Sequence, residues 1–286
     1  MNEASTITIG SELRVKRLGF GAMRLCGPGV WGRPKDGENA TRVLRRALDL
    51  GVEFIDTADA YGPGVNEEQI AEALAPYSGD VAIATKGGCT RDGPGVWGRD
   101  GRREHLREAC EASLLRLRLE RIDLYQLHAV DPRVPFEEQI GALRELRSEG
   151  KIRYVGLSNV DLDQLQRAEQ IVDIASVQNS YNVSDRESEA ILAYCEANGL
   201  AFIPYFPLDG GDLVARGALE EVAKAHDTSI WQVGLAWLLQ HSPATLPIPG
   251  TSSVEHLEAN VAATALTLSD AEYERLRAFG AEDSEF

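Results

Sequence analysis

Residues 48–61, LDLGVEFIDTADAY, run from a helix end through one glycine into an apolar strand that finishes in polar side chains. The same order recurs in RSEGKIRYVG (147–156) and EANGLAFIP (196–204). Gly51, Gly150 and Gly199 are expected there as left-handed helix caps, where a missing Cβ removes the steric cost of positive φ. Working outward, the short apolar runs are RLGFG, VEFIDT, VAIATK, IDLYQLH, YVGLSN, ASVQNS, LAFIPY and ATLPIPG. Between two of them Leu106, Cys110, Ser113, Leu114 and Leu117 keep the three-and-four spacing of a buried helical stripe; Phe136, Ile140, Leu143 and Leu146 do so after the next. Strand–helix units with short connections predict an α/β fold of the (β/α)8 TIM-barrel type, one domain over 1–286. A hairpin from ITIGSELRV is expected ahead of it, with extra C-terminal helices around 229–240 and 269–279. A Rossmann sheet is rejected, because GFGAM lacks the third glycine and leads into a Gly/Pro-rich loop.

The chain has 286 residues, 43% of them hydrophobic, and a formal net charge of −16. Without any Lys/Arg run, that balance argues against nucleic acid or an anionic membrane as partner. It also requires a bound phosphate to be held by local backbone and helix-end dipoles. No charged-then-apolar leader opens the sequence and no apolar run reaches the length of a membrane span, so a cytoplasmic protein is expected, as a monomer or weak homo-oligomer. Cys26, Cys89, Cys110 and Cys195 lack metal-ligand spacing. They read as unpaired thiols, Cys110 and Cys195 inside helices and Cys26 and Cys89 nearer the rim; no metal is expected.

Chemistry concentrates at three strand ends. FIDTADAYG supplies Asp56 and Tyr61, VAIATKGG supplies Lys86, and DLYQLHAV supplies His128. Alternation along each strand puts Lys86, Ala84 and Ala82 on one face, and His128, Gln126 and Leu124 likewise, so the last inward position is polar. Singly, each has a plainer explanation: a turn cap for Asp56, a solvated strand end for Lys86, a satisfied core imidazole for His128. Together at one rim they make a proton-transfer site. A free Tyr titrates near ~10 and needs help to act as an acid. Lys86 is expected to lower that value and Asp56 to hold Lys86 charged, while His128 orients a substrate oxygen. Such a group suits an oxygen that gains negative charge, as a carbonyl does when hydride arrives.

RLGFGAM, FIDTADAYG, ATKGG, LHAV, GKIRYVGLSN, VQNSYN, PYFPL and IPGTSSVEHLEAN together resemble the aldo-keto reductases, in order and spacing, over nearly the whole chain. The resemblance implies a barrel with a hairpin over its bottom, hydride transfer from NADPH (NADH possible) and a small carbonyl substrate. By motif it implies Tyr61 as general acid, Lys86 and Asp56 as its tuning pair, and His128 as the orienting group. It assigns the nicotinamide carboxamide to Ser158, Asn159 and Gln178, and ring stacking to Tyr205. Pro207, Leu208, Gly250, Thr251, Ser252, Ser253, His256 and Asn260 complete the implied cofactor contacts. This chain departs from many members at Gly250, where they carry Lys, at His256, where they carry Arg, and at Ala259, where they carry Glu.

For the substrate pocket the rim loops offer Trp31, Trp97 and Val130. The loop after Pro207 is short and the last helix is followed by few residues, so an open pocket for aromatic or flat aldehydes is expected. The GPGV-WG loop, YNVSDR and IPGTSS look similar to bacterial reductases acting on pyridoxal. Two other functions compete. A cofactor-sensing module with little turnover uses the same family fold, and a strand-end lysine suits a Schiff-base aldolase, although Asp56 beside it disfavours the neutral amine.

Overall fold

The computed structural model describes residues 5–209 and 217–282. Thr6–Ile9 (β1) and Leu13–Lys16 (β2) form the expected antiparallel hairpin. Then follow Phe20–Gly21 (β3), Gly37–Asp49 (α1), Phe54–Asp56 (β4), Val65–Leu74 (α2) and Ala82–Gly87 (β5). Cys89–Gly93 (β6) and Val96–Arg99 (β7) come next, before Arg103–Leu117 (α3), Ile122–Leu127 (β8) and Phe136–Ser148 (α4). Ile152–Ser158 (β9), Leu162–Glu169 (α5), Ile174–Gln178 (β10), Glu189–Asn198 (α6) and Ala201–Phe202 (β11) continue the alternation. Ala218–Ala225 (α7), Ile230–His241 (α8), Val254–Ala262 (α9) and Asp270–Glu282 (α10) complete the chain. Gly51, Gly150 and Gly199 all have positive φ at helix ends, as expected.

Seven strands make one parallel sheet in the order β11-β10-β9-β8-β5-β4-β3. The expected eighth strand, ATLPIPG, is not formed as a strand: it pairs only through a single bridge, Phe202 to Thr245. Pro247 and Pro249 explain this, since neither has an N–H for a ladder. The segment nevertheless joins the two sheet edges. Phe202 donates to Ala244 O and Leu246 donates to Phe202 O, while Gly19 donates to Pro247 O on the β3 side.

Interior and exterior faces follow the predicted alternation. Phe54, Ala82, Ala84, Leu124, Ala175 and Leu246 form one buried cluster, closed from below by Ile7, Ile9 and Val15 of the β1–β2 hairpin. The helix-facing residues Ile83 on one side and Tyr125 and Leu127 on the other pack with α1–α2 and α3–α4 respectively. Phe136, Ile140, Leu143 and Leu146 are all buried, at roughly 1.5–3 kcal/mol each for full removal from water. α2 is also held by buried polar bonds: Thr85 Oγ1 donates to Glu67 Oε1 at 2.6 Å and Arg116 Nε to Glu67 Oε2 at 2.7 Å. That network fixes the loop between β4 and α2, which carries Tyr61. Among the described residues no helix is long and apolar enough to cross a membrane.

Candidate active site

Lys86, at the end of β5, is 1% exposed. Its ammonium donates to Asp56 Oδ1 at 2.6 Å and to Thr57 O at 2.9 Å. The other Asp56 oxygen accepts from Gln178 Nε2 at 2.8 Å and from Gln126 Nε2 at 3.3 Å. A buried ion pair is tolerated only when its remaining lone pairs find donors, and here they do. Lys86 Nζ lies 5.2 Å from the centre of the Tyr61 ring. The Tyr61 and His128 rings meet edge to face, 5.7 Å apart at 82°. All four strand-end residues therefore gather in one place, from β4, β5 and β8 and the loops that follow them.

Burial, and after it the Asp56 charge, pushes the Tyr61 phenol well above its usual range. This corrects the expectation that Lys86 lowers it: the ammonium is already compensated by Asp56, and desolvation of a phenolate outweighs what remains. The phenol is thus fully protonated at neutral pH. Burial, then Lys86 and Arg91, holds the His128 imidazole well below its usual range, so it is neutral and has one N–H to give. His128 Nδ1 is buried with no hydrogen-bond partner among the described residues. The cavity that holds these groups measures about 720 Å³, within the range of small-molecule sites.

The opposite wall comes from β9, β10 and the later loops. Asn159, at φ +57°, donates to His128 O at 2.9 Å and to Ser158 Oγ at 3.0 Å, and its Oδ1 accepts from the Tyr205 hydroxyl at 2.7 Å. Asn accepts this backbone region more readily than most residues. Farther along, Pro207, Leu208, Gly250, Thr251, Ser252, His256 and Asn260 line the same cavity. Ser253 caps α9 by accepting from the His256 N–H; it is not among the cavity's lining residues. A Cβ at Gly250 would lie 2.6 Å from Gly21 O, so a side chain there would collide with backbone. Arg24, one residue beyond the quoted RLGFGAM, stands against Gly250 and lines the cavity instead. The polar groove that ends at the α9 N-terminus fits a dinucleotide phosphate.

Not every expected pocket residue is brought in. Trp97 lines the cavity, with its ring 6.3 Å from that of Tyr61 and 6.0 Å from that of His128. Trp31 does not line it, and its indole sits 5.9 Å from the Arg91 guanidinium. Val130 does not line it either; its side chain packs on the core and its carbonyl accepts from Arg99. The Gly/Pro-rich stretch expected as a loop around Trp97 is the β6–β7 hairpin. Residues missed from the sequence include Met23, Arg24, Arg99, Phe206, Ser229 and Trp231. Phe206 and Trp231 are each 44% exposed, and large apolar groups left exposed at a cavity mouth mark a binding surface. The short loop expected after Pro207 lies in part outside the described residues.

All four cysteines are free thiols. Cys89 lines the cavity, and burial lifts its pKa to about 11, so it is no thiolate at neutral pH. Among the described residues no group of His, Cys, Asp and Glu is placed to hold a metal.

Geometry of this kind, a protonated phenol and a neutral imidazole over a buried Lys–Asp pair, suits a carbonyl oxidoreductase. The sequence profile of the Aldo/keto reductase family matches residues 17–281, and the chain belongs to that family. It is 46% identical to an uncharacterized oxidoreductase of Schizosaccharomyces pombe, over 96% of this chain and 90% of that one. It is 42% identical to pyridoxine 4-dehydrogenase of Escherichia coli, over 93% and 95%. Among solved structures it is similar to an aldo-keto reductase of Klebsiella pneumoniae in complex with NADPH, with TM-score 0.82 and 28% identity over 96% and 94%.

Proposed function

We propose that this chain reduces an aldehyde with NADPH, that Tyr61 protonates the carbonyl oxygen, and that flat aromatic aldehydes of the pyridoxal kind are its substrates. The observation that carries the reading is the buried Lys86–Asp56 pair beneath Tyr61 and His128 in a cavity walled by Trp97. A fully protonated phenol keeps its proton until the substrate oxygen becomes basic enough to take it. The phenolate left behind lies beside the Lys86 ammonium, which Asp56 and Thr57 O hold in place and whose remaining field offsets part of the cost of its desolvation. Neutral His128 donates its single N–H to the same oxygen and fixes its direction. Asp56 also keeps Lys86 an ion pair, which removes the support for a Schiff-base nucleophile.

On this reading Ser158, Asn159 and Gln178 hold the nicotinamide carboxamide, Tyr205 covers the ring, and Gly250 to Ser253 with His256, Asn260 and Arg24 receive the phosphates. When bound, the nicotinamide supplies the hydride. Arg24 answers the missing lysine at Gly250, because that glycine leaves room for no side chain. The same reading takes 244–250 as the eighth stave that closes the barrel, and 1–286 as one cytoplasmic domain. The pyridoxine dehydrogenase relative and the NADPH-bound neighbour support the substrate and cofactor choices.

Oxidation of NADPH and of NADH, followed with pyridoxal and with benzaldehyde, tests this. NADPH is expected to give the higher kcat/KM, and pyridoxal to exceed benzaldehyde. A higher value with NADH overturns the cofactor choice, and benzaldehyde exceeding pyridoxal overturns the substrate.

A further inference from the structure

The β6–β7 hairpin shows two arginines on one face, and they are in opposite states. Alternate residues of a strand share a face. Cys89 lies opposite Arg99, and Arg91 opposite Trp97. Arg91 is saturated: its guanidinium lies 3.8 Å from the Trp97 ring centre and donates to the carbonyls of Gly29, Val30, Ala60, Gly93 and Val96. Among the described residues Arg99 donates only from Nη1, to Val130 O at 3.0 Å, and the rest of its planar fork of donors is uncommitted there. It forms no ion pair among the described residues, because the acids beside it are taken: Asp100 by Arg102 and Asp131 by Arg133.

Arg99 nevertheless lines the cavity, as do Trp97 and His128. It arrives between β5 and α3, on the side of β4 and β8, away from the groove built by β9, β10 and residues 248–260. A free cation in that position meets the far end of the substrate and not the cofactor. The net charge of −16 repels anions in bulk, so recognition of one must be local. Resting on the reductase reading, we propose that Arg99 is the anion-recognising residue of the substrate subsite, and that the preferred substrates are flat carbonyl compounds bearing a carboxylate or phosphate. Planar, bidentate pairing with such an anion is what a guanidinium does best.

The test compares kcat/KM with NADPH at low salt for 4-carboxybenzaldehyde against benzaldehyde, and for pyridoxal 5′-phosphate against pyridoxal. Wild type, Arg99→Gln and Arg99→Lys are measured in parallel. In wild type the charged member of at least one pair is expected to lead by about tenfold, mainly through KM. That ratio collapses in Arg99→Gln and is kept only in part in Arg99→Lys, which retains the charge without the planar fork; the pair that responds identifies carboxylate or phosphate. A wild type without preference, or a ratio unmoved by Arg99→Gln, overturns the proposal. If no aldehyde turns over, the reductase reading fails by itself. Equilibrium titration of the same pairs into the protein then decides for Arg99: the same ratio supports it, and equal affinities overturn it.

Discussion

The heptapeptide GPGVWGR occurs twice, at 27–33 and 93–99, and the two copies do different things. In the first, Val30 takes φ +55°, Trp31 makes one bridge to Gly62, and Arg33 pairs with Glu68 and Glu72 on α2. In the second, the last four residues are strand β7, Trp97 enters the cavity, and Arg99 pairs with no acid among the described residues. The copies touch: Gly95 donates to Gly29 O, and Arg91 bonds carbonyls of both. What separates them is the partner each meets, β6 for one and α2 for the other. Local sequence sets what a turn can do, and tertiary context chooses.

Arg91 is the joint between the copies, so removing it is the severest way to break the contrast. Arg91→Ala is expected to lower kcat/KM for aromatic aldehydes by ~30-fold, about 2 kcal/mol, since the stack on Trp97 and its backbone bonds go together. Arg91→Lys should restore little, because a lysine offers no planar fork. If kcat/KM holds in Arg91→Ala while Tm falls, the residue is merely structural.

A smaller effect sharpens the comparison. Trp97→Ala is expected to cost about tenfold in kcat/KM for aromatic aldehydes, and Trp31→Ala no more than about twofold. Equal losses in the two variants would mean that the copies share one role.

Much of this was legible beforehand. Short apolar runs ending in polar residues placed seven strands, and the inward alternation at Lys86 and His128 brought the four candidates to one rim, where the structure also gathers them. The eighth strand was overread because ATLPIPG looks apolar and extended, yet two prolines withhold ladder donors. The β6–β7 hairpin was hidden by its GPG turn, which reads as loop until strands are seen on both sides. Trp31 and Trp97 were indistinguishable, being set in identical surroundings of sequence. The direction of the Tyr61 shift was missed as well, since the extent of desolvation is a property of the packed site and not of motif spacing.

The central claim is that Tyr61 is the proton donor. Its most direct test is single-turnover NADPH oxidation with pyridoxal in Tyr61→Phe, alongside the equilibrium affinity for NADPH. Loss of at least ~100-fold in rate, with cofactor affinity preserved, is the predicted result. A variant that turns over at the wild-type rate would contradict it.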